Sequence, residues 1–232
     1  MFSFRESLDP DPATGGRRVE VAFTDAAIDV KEGSAGLEDA LGQLASATGA
    51  TPVRLEQVHG DSVHVLGEPG GSGGAPPVAD AVVTTRAGVA LMVRAADCVP
   101  VLLADASGGV IGAVHAGRRG VALDVVTRAV ERMRAMGAAD LRAWIGPHVC
   151  GGCYEVPAAM REEVATLVPA AAAETTWGTP ALDLGAAVAA QLAAAGVPAE
   201  WAGGCTREDE RLHSYRRDGG AAGRLAGLVW VP

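Results

Sequence analysis

Short runs dense in Val, Leu and Ile, segments of helical apolar spacing set among them, and the lack of any linker-like break predict one α+β domain with mixed β-sheets. Residues 1–18 combine Pro, Gly and Arg with little periodicity and read as a loose N-terminal segment, leaving 19–232 as the domain. Residues 19–23 read as a short strand. Residues 37–47 have helical apolar spacing, with Gly49 placed to stop the helix. Residues 54–58 and 62–66 read as paired strands around a turn at Gly60-Asp61, and the Gly- and Pro-rich stretch 68–77 as an exposed loop.

Four β runs follow at 80–84, 89–94, 99–104 and 110–115, separated by Gly88, Ala96-Asp97-Cys98 and Ser107-Gly108-Gly109. Residues 121–136 predict one helix through Val121, Val125, Ala129 and Met133, ended by Gly137. A strand at 141–145, helices at 158–168 and 182–195, and strands at 200–202 and 228–231 complete the chain. The alanine-rich stretches at 170–173 and 193–195 reflect composition, and no internal repeat is present.

Bulk composition narrows the function classes. The 232 residues are 49% hydrophobic and 20% charged, an ordinary globular balance with ample length for a core. A formal charge of −9 argues against sequence-independent nucleic-acid binding, which needs a basic surface. No uninterrupted apolar stretch is long enough to cross a membrane, and the N-terminal residues lack the apolar core of a signal peptide. The expectation is a cytoplasmic protein whose four cysteines are thiols or ligands, with no membrane partner. The sequence sets no oligomeric state.

Chemistry concentrates at three positions: His59 in LEQVHGDSV, Cys98 in RAADCVPVLLAD and His115 in GAVHAGRRG. Two imidazoles and a thiolate are the donors of an open zinc site, in which three protein ligands leave a fourth position for water or substrate; copper suits the same set. By spacing alone the same residues also read as a packed thiol and two unrelated histidines, because no pair has a recognised local ligand spacing. Gly117 and Gly120 bracket Arg118 and Arg119 ahead of a helix, an arrangement suited to phosphate or carboxylate, or to a solvated turn. Asp97, beside Cys98, is a candidate proton carrier or ligand-orienting group, or a turn residue. Cys150-x-x-Cys153 is half a zinc knuckle that would need His148 or a distant ligand; as a local unit it reads as a tight turn. The Arg- and Gly-rich stretch SYRRDGGAAGR reads as a loop whose arginines pair with neighbouring acids.

Taken in order, QVHG, ADCVPVLLAD, HAGRRG, IGPHVCGGCYEV, LDL, CT and SYRRDGGAAGRLAGLVW resemble one family. It is the group named for multi-copper polyphenol oxidases, also called peptidoglycan editing factor or purine nucleoside phosphorylase, which includes the laccase-domain proteins. The resemblance implies an α/β sandwich related to cysteine-histidine deamidase toxins, with His59, Cys98 and His115 as metal ligands. It also implies purine nucleoside and phosphate as substrates: phosphorolysis of adenosine, inosine, guanosine and methylthioadenosine, and hydrolytic deamination of adenosine. Zn²⁺ would lower the pKa of bound water and supply hydroxide near neutral pH, and Arg118, Arg119 and Gly117 would hold phosphate. Two regions depart from the family pattern. In the N-terminal part Ala26 stands where an Arg is expected and an Asn-containing stretch is missing, and in HAGRRG Arg118 stands where Trp is usual. A Cys98–His115 thiol hydrolase or deamidase, acting on an amide or cell-wall peptide, and a non-catalytic member are the alternatives. Five histidines cannot supply the many imidazoles of a multicopper cluster, which excludes that chemistry.

Overall fold

The computed structural model describes residues 1–10, 15–67, 75–107 and 109–232. Part of the loop expected at 68–77, residues 68–74, lies outside them, as do residues 11–14 of the expected loose segment. The strands are β1 (Phe2–Leu8), β2 (Val19–Thr24), β3 (Thr51–Val53), β4 (Val63–Val65), β5 (Ala81–Thr84), β6 (Val89–Ala95), β7 (Val99–Asp105), β8 (Ile111–Ala116), β9 (Leu141–Ile145), β10 (Ala172–Glu174), β11 (Pro180–Leu182), β12 (Ala199–Trp201) and β13 (Leu225–Trp230). The helices are α1 (Leu37–Thr48), α2 (Arg118–Ala122), α3 (Val125–Ala135), α4 (Ala158–Leu167), α5 (Leu184–Ala194) and α6 (Tyr215–Asp218).

Two mixed sheets stack face to face. One has the order β1-β2-β13-β6-β3, the other β12-β9-β7-β8-β5-β4, and β10 and β11 form a separate ribbon. Side chains alternate across each strand, so every central strand feeds two cores. Val21, Phe23, Leu91 and Val93 of the first sheet meet Val82, Leu102, Ile111 and Trp144 of the second in the layer between them. On the outer face of the first sheet, Ala22, Met92, Leu228 and Trp230 pack under Leu37, Ala40 and Leu44 of α1. On the outer face of the second, Val83, Val101, Leu103 and Val114 pack under α3 and α5. Burial on both faces explains why these strands read as continuous apolar runs.

Four differences from the sequence reading have physical causes. First, the N-terminus is ordered: β1 pairs antiparallel with β2, and Phe4 and Leu8 pack into the layer between the sheets. A register shift between Phe2 and Phe4 turns Phe2 to the opposite face, where it packs beside α1. Polar Arg5, Glu6 and Ser7 hide this alternation in the sequence. Glu6 faces inward because its carboxylate accepts the indole N–H of Trp144 at 3.3 Å.

Second, 54–58 and 62–66 form no hairpin. β3 runs parallel to β6 in one sheet and β4 parallel to β5 in the other, so the chain between them crosses from sheet to sheet. Third, the helix expected at 121–136 is two, α2 and α3. Asp124 sits in the left-handed region at φ 60°, and its carboxylate caps the second helix by accepting from Thr127 N. Fourth, the β10–β11 ribbon was hidden by alanine, a poor strand former. α1 runs as expected, and Gly49 ends it at φ 68°.

The layer between the sheets is tight around Phe23. A Cβ added at Gly146 would stand 2.3 Å from its ring, and one at Gly227 3.0 Å away. Gly146→Ala therefore lowers the unfolding free energy by about 1–3 kcal/mol through overpacking. In a Phe23→Ala background the same change costs far less, because the methyl then has room. Urea denaturation of the four proteins in the cycle checks this, and additive losses would show that the contact does not matter.

Candidate metal centre

Two of the three candidate ligands sit where the chain crosses between the sheets. Cys98 lies in the turn that takes β6 of the first sheet into β7 of the second. His59 lies in the crossing from β3 to β4, in the left-handed region at φ 58°. His115 is the fifth residue of β8, in the second sheet, and is 3% exposed. Both crossings fall at the same end of the sandwich. The His59, Cys98 and His115 ligand atoms accordingly lie within 4.8 Å of one another. The two imidazoles meet edge to face with centroids 4.8 Å apart, and Cys98 Sγ is 3.7 Å from His59 Nε2.

Asp80 builds this arrangement, and the sequence reading missed it. Its side chain is fully buried. One carboxylate oxygen meets His115 Nδ1 at 2.8 Å and accepts from His59 N at 2.9 Å; the other accepts from Val58 N at 3.2 Å and Gly60 N at 2.6 Å. An Nδ1–H held by Asp80 leaves Nε2 of His115 with its lone pair as the ligand atom. Only the Asp preceding a β run was visible in the sequence; the β5–β8 pairing that sets it beside His115 was not.

Glycine is required at 117. A Cβ there would stand 2.6 Å from His59 Cδ2 and 3.1 Å from Cys98 Sγ. Gly117 thus touches the site by leaving room for it.

Electrostatics favour a thiolate. Burial would push the Cys98 thiol up, but His115 and His59 outweigh it and bring the pKa down to about 6. Burial likewise opposes charge on His115, while Cys98 and Asp80 raise it to about 9. Asp80 is lowered: burial opposes the charge, but the His115 hydrogen bond and the backbone N–H groups prevail.

Of the other expected residues, Asp97 borders the cavity at the three ligands, and Arg118 and Arg119 do not. Asp97, at φ 89°, is 6% exposed, and its carboxylate accepts from Thr206 Oγ1 (2.6 Å), Ser214 Oγ (2.7 Å) and Arg216 N (2.6 Å). With three donors on its oxygens it anchors the C-terminal loop to the turn that carries Cys98. Arg118 and Arg119 begin α2 and are half-buried and exposed. Neither lines the cavity of about 830 Å³ that opens on the three ligands. Its cations are Lys31, Arg94, Arg216 and Arg224, beside Tyr154 and Tyr215. The cavity lining thus takes its arginines from β6 and the C-terminal segment and not from the turn between Gly117 and Gly120. Ala26 lines a different cavity, with Asp25 and Arg211, so the departure there does not face the ligands.

Arg216 stacks over the Tyr154 ring at 4.4 Å and donates to Glu155 O. Arg224 donates to the carbonyls of Ala222 and Gly223. Among the described residues neither guanidinium meets a carboxylate, so the expected pairing with a neighbouring acid holds for Arg217, with Asp218, and not for these two. Arg94 does pair, with Glu32.

Three convergent soft and borderline donors, one imidazole locked by a carboxylate, and space made by a glycine fit a small divalent transition metal.

Residues 15–232 match the family described as multi-copper polyphenol oxidoreductase laccase. A Streptomyces griseus protein named purine nucleoside phosphorylase ORF3 is 54% identical over 182 residues, 77% of this chain and 74% of that one. A Corynebacterium glutamicum protein named purine nucleoside phosphorylase is 44% identical over 196 residues, 82% of this chain and 79% of that one. Among solved structures, YlmD from Geobacillus stearothermophilus superposes with TM-score 0.82 at 26% identity, covering 100% of this chain and 99% of that one. Neisseria meningitidis NMB0706 gives TM-score 0.80 at 28% identity, covering 99% of both.

Asp80→Asn weakens metal binding about 10–100-fold, measured by competition with a chelator. It also flattens the acid limb of the stability curve. A carboxylate with a lowered pKa contributes stability that is complete above its unfolded value and is lost as pH falls through the folded one. In metal-stripped protein, alkylation of Cys98, followed by mass spectrometry, has its midpoint at about pH 6 and moves upward in His115→Ala.

Proposed function

The chain belongs to the multi-copper polyphenol oxidoreductase laccase family, and from that membership we propose that it is a zinc-dependent purine nucleoside phosphorylase that also deaminates adenosine. The observation that carries the reading is the convergence of His59, Cys98 and His115 on one cavity whose cations suit phosphate. The purine nucleoside phosphorylase names of relatives at 44–54% identity support the substrate class. His59, Cys98 and His115 hold the ion. When bound, it supplies Lewis acidity at the cavity wall.

The protein's own groups do the rest. Lys31, Arg94, Arg216 and Arg224 set a positive potential at the cavity, which draws in phosphate. Arg216 keeps unpaired guanidinium donors, and its plane is fixed on Tyr154, so it is pre-organised to grip a phosphate oxygen. Burial and the neighbouring Cys98 raise the Tyr154 pKa, which keeps its hydroxyl protonated and able to donate. In phosphorolysis a phosphate oxygen forms a bond to the anomeric carbon as the glycosidic C–N bond breaks and the base departs with the electron pair. Deamination adds water at the purine C6 and releases ammonia from it.

A second reading has a specific observation behind it. Asp80, His115 and Cys98 are arranged as orienting carboxylate, base and thiol, the order a nucleophilic cysteine requires. In that reading the substrate is an amide and zinc inhibits.

Purified zinc-loaded protein incubated with adenosine and phosphate should release adenine and inosine, resolved by chromatography. Neither product at high enzyme concentration rejects the first reading, and activity that survives complete removal of zinc favours the second. Arg216→Ala raises the KM for phosphate about tenfold or more, the loss of a charge-assisted contact.

A further inference from the structure

Cys150 and Cys153 take no part in the site above. The structure completes them with a second turn from far along the chain: one ligand atom each of Cys150, Cys153, Cys205 and Glu208 lies within 4.8 Å of the others. Around a tetrahedral zinc with bonds of about 2.3 Å, neighbouring sulfurs stand about 3.8 Å apart, so these four atoms already enclose a space one ion can bridge.

The two turns are built alike. Cys150 O accepts from the N–H groups of Cys153 and Tyr154, both at 3.0 Å; Cys205 O accepts from those of Glu208 at 3.3 Å and Asp209 at 3.1 Å. Each therefore presents residues i and i+3 on one side. They are also tied together. Cys150 N donates to Cys205 Sγ at 3.4 Å, Thr206 N donates to His148 O at 3.0 Å, and the Cys153 thiol donates to Glu208 at 3.3 Å. The Cys150 N–H thus points at a sulfur of the other turn. All four cysteines of the chain are free thiols.

We propose that Cys150, Cys153, Cys205 and Glu208 form a second, structural zinc site. Three thiolates select a soft or borderline ion over magnesium or calcium, and four protein ligands close the coordination sphere, unlike the open set of His59, Cys98 and His115. The site joins two segments without regular helix or strand, one between β9 and α4, the other between β12 and α6. The first carries Tyr154 and the second leads into Arg216, so the ion braces the wall that faces the cavity. The inference is independent of the nucleoside reading, since it concerns different ligands and a different readout.

The experiment is a zinc count on the full chain by elemental analysis after gel filtration. Wild type should carry two zinc ions per chain, and His59→Ala/His115→Ala one. Cys153→Ser/Cys205→Ser should also carry one. Cobalt(II) loaded into His59→Ala/His115→Ala should show thiolate-to-metal charge-transfer absorption that vanishes when Cys153→Ser is added. Because loss of two cysteines can disturb folding, Glu208→Ala gives a second arm: its side chain is exposed, and its loss should weaken the more resistant zinc at least tenfold in chelator competition. A folded His59→Ala/His115→Ala protein without zinc, a Cys153→Ser/Cys205→Ser protein with two, or an unchanged affinity in Glu208→Ala would overturn the assignment.

Discussion

The Asp80 carboxylate is the constraint on which the metal centre depends. A buried carboxylate without partners is costly enough to neutralise itself or to disrupt the fold. Here it is satisfied by three consecutive backbone N–H groups of the β3–β4 crossing and by the ring of His115. One side chain therefore holds His59 on its loop and aims His115 from its strand. Both effects follow from charge satisfaction in a dry interior, where hydrogen bonds to an ionised acceptor are strong and directional.

Asp97 solves the same problem on the other side of Cys98. Its oxygens collect two hydroxyls and the Arg216 N–H, and through them the C-terminal loop is pulled against the turn that carries the cysteine. A left-handed backbone at φ 89° is part of how the side chain reaches them. The two buried aspartates divide the labour. One orients the histidines, while the other brings Arg216 to the cavity. Sequence adjacency to Cys98 drew attention to Asp97, which borders the same cavity while its carboxylate is engaged by the C-terminal loop.

This contrast explains what the sequence could reveal. The central strands β5 to β9 and the helix α1 were legible because burial on both faces gives dense apolar runs and a glycine ends α1. The three candidate ligands stood out because their motifs occur in the family's order; by spacing alone they also read as a packed thiol and two unrelated histidines. The crossing between β3 and β4 was not, since two short β runs around Gly-Asp look the same whether they pair with each other or join different sheets. Asp80 was hidden for the same reason: its partners are 20 to 35 residues away and are fixed only by the β5–β8 register. Cys205 and Glu208 were hidden from Cys150 and Cys153 by 55 residues of intervening chain.

The cations around the cavity come from positions other than those the sequence pattern marked. Neither Ala26 nor the arginines at 118 and 119 line it, although the sequence pattern directed attention to all three. Positive charge instead comes from Lys31, just ahead of α1, from Arg94 at the end of β6, and from Arg216 and Arg224 near the C-terminus. Arg94 is partly neutralised by Glu32 and is tied to Leu55 O, so it serves the wall as much as the ligand. Among the described residues the Arg216 guanidinium donates to Glu155 O and stacks on Tyr154, that of Arg224 donates to two carbonyls, and neither meets a carboxylate. An uncompensated guanidinium beside a partly buried cavity has more to gain from an anion than a paired one. Two of the four cations at the cavity come from the C-terminal segment, and their placement depends on how rigidly Asp97 and the neighbouring turns hold that segment in place.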